Sequence, residues 1–160
     1  MCACPEVTLW SVPEVERVLV SACLLGQACR WDGGDKRNRA LLEAVAHEGL
    51  EAVPFCPEEA GGLGTPRPPC VLVGGDGEAV ADGRAKVLDD AGNDRTEAYL
   101  IGARGAVDSA RASGCAVAYL KERSPSCGCA LVPTEAGRIE GCGVTTALLR
   151  RAGIATISVD

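Results

Sequence analysis

Long apolar segments are absent from this sequence. No run of residues approaches the roughly 20 that a membrane-spanning helix needs. The first residues, Met1-Cys2-Ala3-Cys4-Pro5-Glu6, also lack the basic and apolar regions of a signal peptide. We therefore expect a cytoplasmic protein that does not associate with membranes.

A concentrated basic surface is also lacking. The Lys and Arg residues are scattered along the chain, and the formal net charge is −6. A nucleic-acid duplex is therefore a poor candidate partner, because duplex binding depends on clustered cations that neutralise phosphates. A small molecule is the expected partner, and the protein is expected to be a monomer or a homodimer.

Aromatic residues make up only 3% of the chain, so the core must be built from aliphatic side chains. With 160 residues, of which 47% are apolar, the chain is long enough for one buried core and too short for two ordinary domains. Residues 1–16 show no clear periodicity and are predicted to form an irregular N-terminal extension. Residues 17–160 are predicted to form the domain.

Strand and helix patterns alternate along this domain. Apolar runs predict strands at 18–22, 51–55, 116–120 and 154–159, and helical spacing predicts helices at 38–48, 94–113 and 144–152. Residues 70–75 and 85–88 are predicted to form a hairpin joined by a polar turn, and 130–133 are followed by a polar turn through Gly137. The fold class is therefore α/β, a single compact domain with a mostly parallel sheet flanked by helices, Rossmann-like.

Cysteine is abundant, with ten residues, which in a reducing compartment indicates metal binding or catalysis rather than disulfides. No Cys-x-x-Cys pair occurs, which disfavours a zinc ribbon. Cys23, Cys56 and Cys127 each follow a predicted strand, and the carboxyl ends of parallel strands share one edge. Three such thiols suit an iron-sulfur cluster with one iron lacking a protein ligand. Buried thiols that act only as small hydrophobic groups remain the alternative, and three more cysteines are assigned to that class: Cys70, Cys115 and Cys142.

Polar residues near these thiols are candidates for a site. Trp31 and Asp32 either line a pocket or merely form a turn, and Arg67, held between prolines, is either a substrate contact or a surface residue. Pro57 predicts a helix start directly after Cys56, and the helix amino end is expected to favour the Cys56 thiolate. The only histidine, His47, is expected to lie in the last turn of a surface helix and is left out of the site.

Several motifs in order resemble those of the bacterial thiouracil desulfurase family. They are Val-Ser-Ala-Cys-Leu-Leu-Gly at 20–26, Arg-Trp-Asp-Gly at 30–33, Cys-Pro-Glu at 56–58, Gly-Leu-Gly-Thr-Pro-Arg-Pro-Pro at 62–69, Lys-Glu-Arg-Ser-Pro-Ser-Cys-Gly at 121–128 and Gly-Val-Thr-Thr-Ala-Leu-Leu at 143–149. The resemblance covers nearly everything after residue 17.

This resemblance implies a 4Fe-4S cluster held by Cys23, Cys56 and Cys127. The fourth iron would bind the sulfur of a thiolated pyrimidine, either a nucleobase or a nucleoside, and the sulfur would leave as hydrosulfide. Cys29 is expected beside the ligands and Cys129 outside the core motif. The roles of Cys2 and Cys4 stay open.

We assign roles to the remaining candidates on this basis. Glu58 is expected to activate water as a general base, and Ser124 or Ser126 to hydrogen-bond the substrate or a cluster sulfur. Asp32 is a further candidate for orientation, and Trp31 and Arg67 are expected to contact the substrate. Two alternatives remain, a sulfur-carrying protein and a zinc- or iron-binding regulatory module without hydrolytic activity. A tRNA-thiolating enzyme is disfavoured, because the sequence has no Gly-rich ATP-binding loop.

Overall fold

The structure, a computed structural model, describes residues 14–160. Almost all of the predicted extension at 1–16, with Cys2 and Cys4, lies outside these residues. Residues 14–16 lead directly into the first strand without regular structure. Across residues 14–160, no helix has the length and apolar character required to cross a membrane.

The described chain folds into two four-stranded sheets and five helices. The strands are β1 (Arg17–Ser21), β2 (Glu51–Phe55), β3 (Cys70–Val73), β4 (Lys86–Asp89), β5 (Val117–Lys121), β6 (Leu131–Thr134), β7 (Gly137–Glu140) and β8 (Ala155–Val159). The helices are α1 (Arg39–His47), α2 (Pro57–Ala60), α3 (Gly77–Ala81), α4 (Thr96–Ala112) and α5 (Val144–Arg151), and a short 3₁₀ helix spans Ala22–Leu25.

The first sheet is entirely parallel, with the strand order β2-β1-β5-β8. Its central strand β1 is buried from Val18 to Ser21, as expected for a strand with helices on both faces. All four of its strands were predicted from apolar runs within one residue of their observed ends. The predicted α/β domain with a mostly parallel sheet is confirmed.

The second sheet has the order β4-β3-β6-β7 and mixes antiparallel and parallel pairs. Strands β3 and β4 form the predicted antiparallel pair, but the prediction of a simple polar turn between them is wrong. Helix α3 fills the connection, because the Asp76 side chain accepts hydrogen bonds from the backbone N–H of Glu78 and Ala79 and caps it. Strand β7 was not predicted, because its four residues are all exposed and show no apolar alternation.

Helix α4 lies between the two sheets and contributes to the apolar core beside each of them. Gly102 lies inside this helix, where glycine is a poor helix former. The structure shows why glycine is needed, since a Cβ there would lie 1.9 Å from the carbonyl oxygen of Pro57 at the start of α2. The close contact fixes α2, and with it the end of β2, against the core.

Candidate functional site

A cavity of about 520 Å³ opens at the carboxyl edge of the parallel sheet. Five cysteines line it, namely Cys23, Cys29, Cys56, Cys70 and Cys127. Cys70, which was expected to be a purely hydrophobic thiol, reaches the cavity from β3. Cys23 lies in the 3₁₀ helix that follows β1, Cys56 caps α2 after β2, and Cys127 lies in the loop after β5. Between residues 14 and 160 every cysteine is a free thiol. The three thiols predicted to share one site thus share one cavity.

The donor set fits a cluster with several irons. Over residues 14–160, no three Cys, His, Asp or Glu side chains converge closely enough to ligate one ion. In a cubane each cysteine binds a different iron, so its ligand sulfurs need not meet at one point. Three separated thiols around one cavity match that requirement.

The loop that carries Cys127 is held by the carboxylate of Glu122, which follows β5 directly. Glu122 Oε1 accepts hydrogen bonds from the backbone N–H of Cys129 at 3.1 Å and of Leu131 at 2.9 Å, and Oε2 accepts one from the Ser158 hydroxyl. Burial alone would raise the pKa of Glu122. The hydrogen bonds from Ser158 and the loop N–H groups lower it instead, to about 2.

The same loop is also packed tightly against the start of α5. The backbone N–H of Thr145 donates to the Ser126 carbonyl, and the Thr146 hydroxyl donates to the Cys127 carbonyl at 2.9 Å. A Cβ at Gly143 would lie 2.4 Å from the Ser126 carbonyl oxygen, so only glycine fits there. The Cys127 thiol is therefore presented from a backbone with little freedom to move.

Glu58 lines the cavity, and both of its carboxylate oxygens accept hydrogen bonds. Arg67 Nε donates to Glu58 Oε2 at 2.7 Å, and the Ser126 hydroxyl donates to Glu58 Oε1 at 3.0 Å. The side chains of Arg67 and Glu58 are only 5% and 12% exposed, so solvent screens this ion pair weakly. Glu58 is thereby fixed in direction within the cavity wall.

Both predicted serines line the cavity. The Ser126 hydroxyl lies 3.0 Å from Glu58 Oε1 and 3.6 Å from the Cys127 sulfur. Ser124 has a different local role, because its hydroxyl oxygen accepts the backbone N–H groups of Ser126 and Cys127. Ser126 therefore faces the carboxylate and the thiol, whereas Ser124 mainly shapes the turn.

Arg67 is placed at the cavity, but its donors are directed into the protein. Besides Glu58, its guanidinium donates to the carbonyls of Gly64 and Cys29, each at 2.8 Å, and to the Thr65 hydroxyl at 3.0 Å. This pattern differs from the expected substrate contact. It is the arrangement of a residue that orients Glu58 and the loop holding Cys29.

Trp31 and Asp32 follow Cys29 in the same loop. Trp31 lines the mouth of the cavity and is 45% exposed. Asp32 is not among the lining residues. Its carboxylate pairs with Arg30 and accepts the backbone N–H of Gly34, and these bonds lower its pKa. The contacts of Asp32 are those of a turn-forming residue.

Three of the cavity thiols, those of Cys29, Cys56 and Cys127, hold protons near neutral pH. A hydrogen bond with Cys23 raises the pKa of Cys29 to about 11, and burial raises the pKa of Cys127 to about 12. The pKa of Cys56 is also raised, first by its hydrogen bond with Cys29 and then by burial. The expectation that helix α2 favours the Cys56 thiolate is therefore wrong for the metal-free protein, although the Glu59 backbone N–H does act in that direction. Metal binding would displace these protons.

Several lining residues were not identified as site residues from the sequence, Glu122 and Tyr99 among them. Glu122 lies in the Lys-Glu-Arg-Ser-Pro-Ser-Cys-Gly motif directly after a strand, which is the signal that points to it. Tyr99 lies in α4, is 2% exposed and reaches the cavity from the side of the second sheet. No local pattern distinguishes Tyr99 from an ordinary core residue. The cavity mouth is rich in cations, namely Arg30, Lys36, Lys121, Arg123 and Arg138.

Comparison with known proteins agrees with this geometry. The sequence profile of a family described as 2-thiouracil desulfurase matches residues 18–160. The uncharacterized protein YbbK of Bacillus subtilis (strain 168) is 41% identical over 144 residues, which are 88% of this chain and 94% of YbbK. A solved structure of the 4Fe-4S-dependent thiouracil desulfidase TudS is 44% identical, with a TM-score of 0.76 over 89% of this chain and 90% of TudS. This chain belongs to the 2-thiouracil desulfurase family.

Proposed function

We propose that this protein is a 4Fe-4S-dependent desulfurase that replaces the sulfur of a thiolated pyrimidine with oxygen. The observation that supports this function best is the shared cavity of Cys23, Cys56 and Cys127 in a chain 44% identical to a 4Fe-4S-dependent thiouracil desulfidase. In the net reaction, a C=S group and water give a C=O group and hydrogen sulfide. No electrons are transferred, so no external reductant is required.

The cluster would be held by the thiolates of Cys23, Cys56 and Cys127. When bound, it supplies a Lewis acid for the thiocarbonyl sulfur and makes the attached carbon more electrophilic. The protein contributes a stiff frame for its ligands, because the Cys127 loop is clamped by Glu122 and by α5. Burial of Cys127, which is 4% exposed, limits the access of water to that side of the site.

Glu58 acts as the general base in this proposal. Its Oε1 accepts one hydrogen bond from Ser126, and a carboxylate oxygen has a second lone pair with which to accept a proton from water. The hydroxide equivalent attacks the thiocarbonyl carbon as that proton moves to Glu58. The proton then leaves with the departing sulfur, which returns Glu58 to its starting state.

Ser126 and Arg67 position the reacting groups. The Ser126 hydroxyl lies between Glu58 and the Cys127 sulfur, where it can hydrogen-bond the substrate or a ligand sulfur. Arg67 holds Glu58 Oε2, which fixes the direction in which Oε1 faces the Ser126 hydroxyl. Trp31 at the mouth offers a flat apolar surface for a pyrimidine ring.

The decisive experiment is anaerobic purification and reconstitution, followed by iron and sulfide analysis and a hydrosulfide assay. Thiouracils and thiouridines are the test substrates, with uracil and uridine as the expected products. About four irons and four sulfides per chain, together with hydrosulfide release, would support the proposal. A protein that binds iron or zinc but leaves thiouracil absorbance unchanged would instead favour a metal-binding regulatory module. The cytoplasmic location and the monomeric or homodimeric state stay predictions.

A further inference from the structure

The cavity is lined by two cysteines more than a three-cysteine site needs, Cys29 and Cys70. Cys29 is 4% exposed. Its side chain packs in one buried apolar cluster with Cys23, and Cys56 packs against the same cluster. Cys70 instead packs against the apolar core beside the second sheet, and Cys115 and Cys142 do not line the cavity, so Cys29 differs from the other extra cysteines.

The backbone around Cys29 is fixed, whereas its side chain borders the cavity. Arg67 Nη2 donates to the Cys29 carbonyl at 2.8 Å, and the backbone N–H of Arg67 donates to the Trp31 carbonyl at 2.9 Å. The Cys56 thiol is directed at the same Cys29 carbonyl, 3.7 Å away. A rotation about the Cα–Cβ bond of Cys29 can therefore move its sulfur while the loop stays in place.

We propose that Cys29 is a fourth, exchangeable ligand that binds the remaining iron of the cluster when no substrate is present. The inference rests on the proposed function, because it takes a cluster held by Cys23, Cys56 and Cys127 as given. A thiolate is a strong ligand for iron, and a thiol that packs in one cluster with two of the ligand cysteines lies within reach of iron bound between them.

The exchange conserves atoms and electrons. When Cys29 binds, its thiol releases a proton to solvent and one iron–sulfur bond forms. When the thiocarbonyl sulfur of a substrate arrives, that bond breaks and the Cys29 sulfur takes up a proton. Iron keeps its oxidation state throughout. In the resting protein, Cys29 thus occupies the remaining coordination position of the fourth iron. The substrate displaces Cys29 from that position when it binds.

The test compares the reconstituted wild type with Cys29→Ala and Cys29→Ser, using Cys115→Ala as the matched control. Cys115 is also buried, at 6% exposure, but it lies in the core beside the parallel sheet and not in the cavity. Each protein is enriched in ⁵⁷Fe and studied without substrate by Mössbauer spectroscopy. Each protein is then treated with a chelator under mild oxidation. The rate at which the fourth iron is lost is measured from the growth of the electron paramagnetic resonance signal of the three-iron cluster.

We expect the two Cys29 variants to show one iron site distinct from the other three and to lose that iron roughly tenfold faster than the wild type. Cys115→Ala should match the wild type. Saturating hydrosulfide should remove the difference between wild type and Cys29→Ala, because the added sulfur then occupies the same position. Cys29→Ser keeps the size of the side chain and serves if Cys29→Ala does not fold.

Two results would overturn the inference, and they are distinguishable. In the first, the wild type assembles a cluster and releases hydrosulfide from thiouracil, and the Cys29 variants have the same spectra and the same rate of iron loss as the wild type. That result refutes only the role of Cys29. If the wild type assembles no cluster, the proposed function fails and this inference fails with it.

Discussion

At the scale of single residues, the site is organised around a buried ion pair whose two members were assigned different tasks from the sequence. Glu58 was predicted as a base, and its place in the cavity wall agrees with that role. Arg67 was predicted to contact the substrate, but its guanidinium donates four hydrogen bonds to groups of the protein itself. The sequence could show that Arg67 is held stiffly between prolines. It could not show which groups lie around it, because they come from three separate segments.

Replacing Glu58 with Gln tests the base directly. The amide keeps the size of the side chain and cannot accept a proton from water, so we expect turnover to fall by about 10²-fold or more while iron content is retained. Glu59→Gln is the matched control, because Glu59 is the next residue and its carboxylate bonds the Thr65 hydroxyl instead. Hydrosulfide release and iron content are measured on the same samples. Equal activity of both variants would remove Glu58 from the mechanism.

Replacing Arg67 with Met tests the ion pair as a structural element. The change leaves the Glu58 carboxylate buried without its partner, so the free energy of unfolding should fall by about 3 kcal/mol in urea titrations of the metal-free protein. Arg17→Met, which breaks an exposed pair with Glu51, should change it by less than about 0.5 kcal/mol. The double variant Glu58→Gln, Arg67→Met should recover part of the loss. A double variant no more stable than Arg67→Met would show that Arg67 acts mainly through its carbonyl contacts.

The carboxylate of Glu122 predicts a dependence of stability on pH. Its pKa is about 2 in the folded protein against an ordinary value of 4.5. A lowered folded pKa stabilises the protein above pH 4.5, and this contribution is lost as the pH falls towards 2. The stability difference between wild type and Glu122→Gln should therefore shrink by roughly 3 kcal/mol over that interval. Denaturant unfolding at several pH values measures it, with the exposed Glu140→Gln as control. A constant difference would contradict the assignment.

At the scale of elements, the strands of the parallel sheet were predictable and the second sheet was only partly so. Buried parallel strands are short continuous apolar runs, which the sequence displays directly. Strand β7 is exposed along its whole length, and α3 is a single capped turn of helix, so neither has a periodic pattern to detect. The carboxyl edge of the first sheet could thus be predicted as the site, but not the wall that faces it.

Gly102 links helix packing to the site. In Gly102→Ala the new Cβ would lie 1.9 Å from the Pro57 oxygen, and backbone atoms cannot rotate aside. We expect a loss of about 2–3 kcal/mol in stability and a lower iron content, because α2 follows Cys56 and contains Glu58. Gly105→Ala is the control, since its Cβ meets only the ring tip of Phe55 at 3.2 Å and alanine favours the helix. Similar results for both variants would mean that α2 does not depend on this contact.

At the scale of the whole molecule, the cavity lies where the two sheets meet. The thiols of Cys23, Cys56 and Cys127 follow β1, β2 and β5 of the parallel sheet, while Cys70 and Val71 of β3 and Pro133 of β6 line the cavity from the second sheet. The sequence predicts the first group because strand ends share an edge. It does not predict the second, since the position of one sheet against the other is set by α4 and by contacts between distant segments.

This arrangement predicts which regions respond to removal of the cluster. In the proposed site, three ligands from three strand ends would tie separate loops together, so binding free energy would be added to the stability of those loops. We expect amide hydrogen exchange in residues 22–30, 56–60 and 124–129 to be more than about tenfold faster in the chelator-treated protein than in the reconstituted one, both kept anaerobic. Exchange in β3 and β4 should be nearly unchanged, because these strands provide no ligand, and they serve as an internal control. Faster exchange in both sheets alike would indicate global destabilisation instead. Unchanged exchange in the three loops would mean that their cysteines do not hold the cluster together.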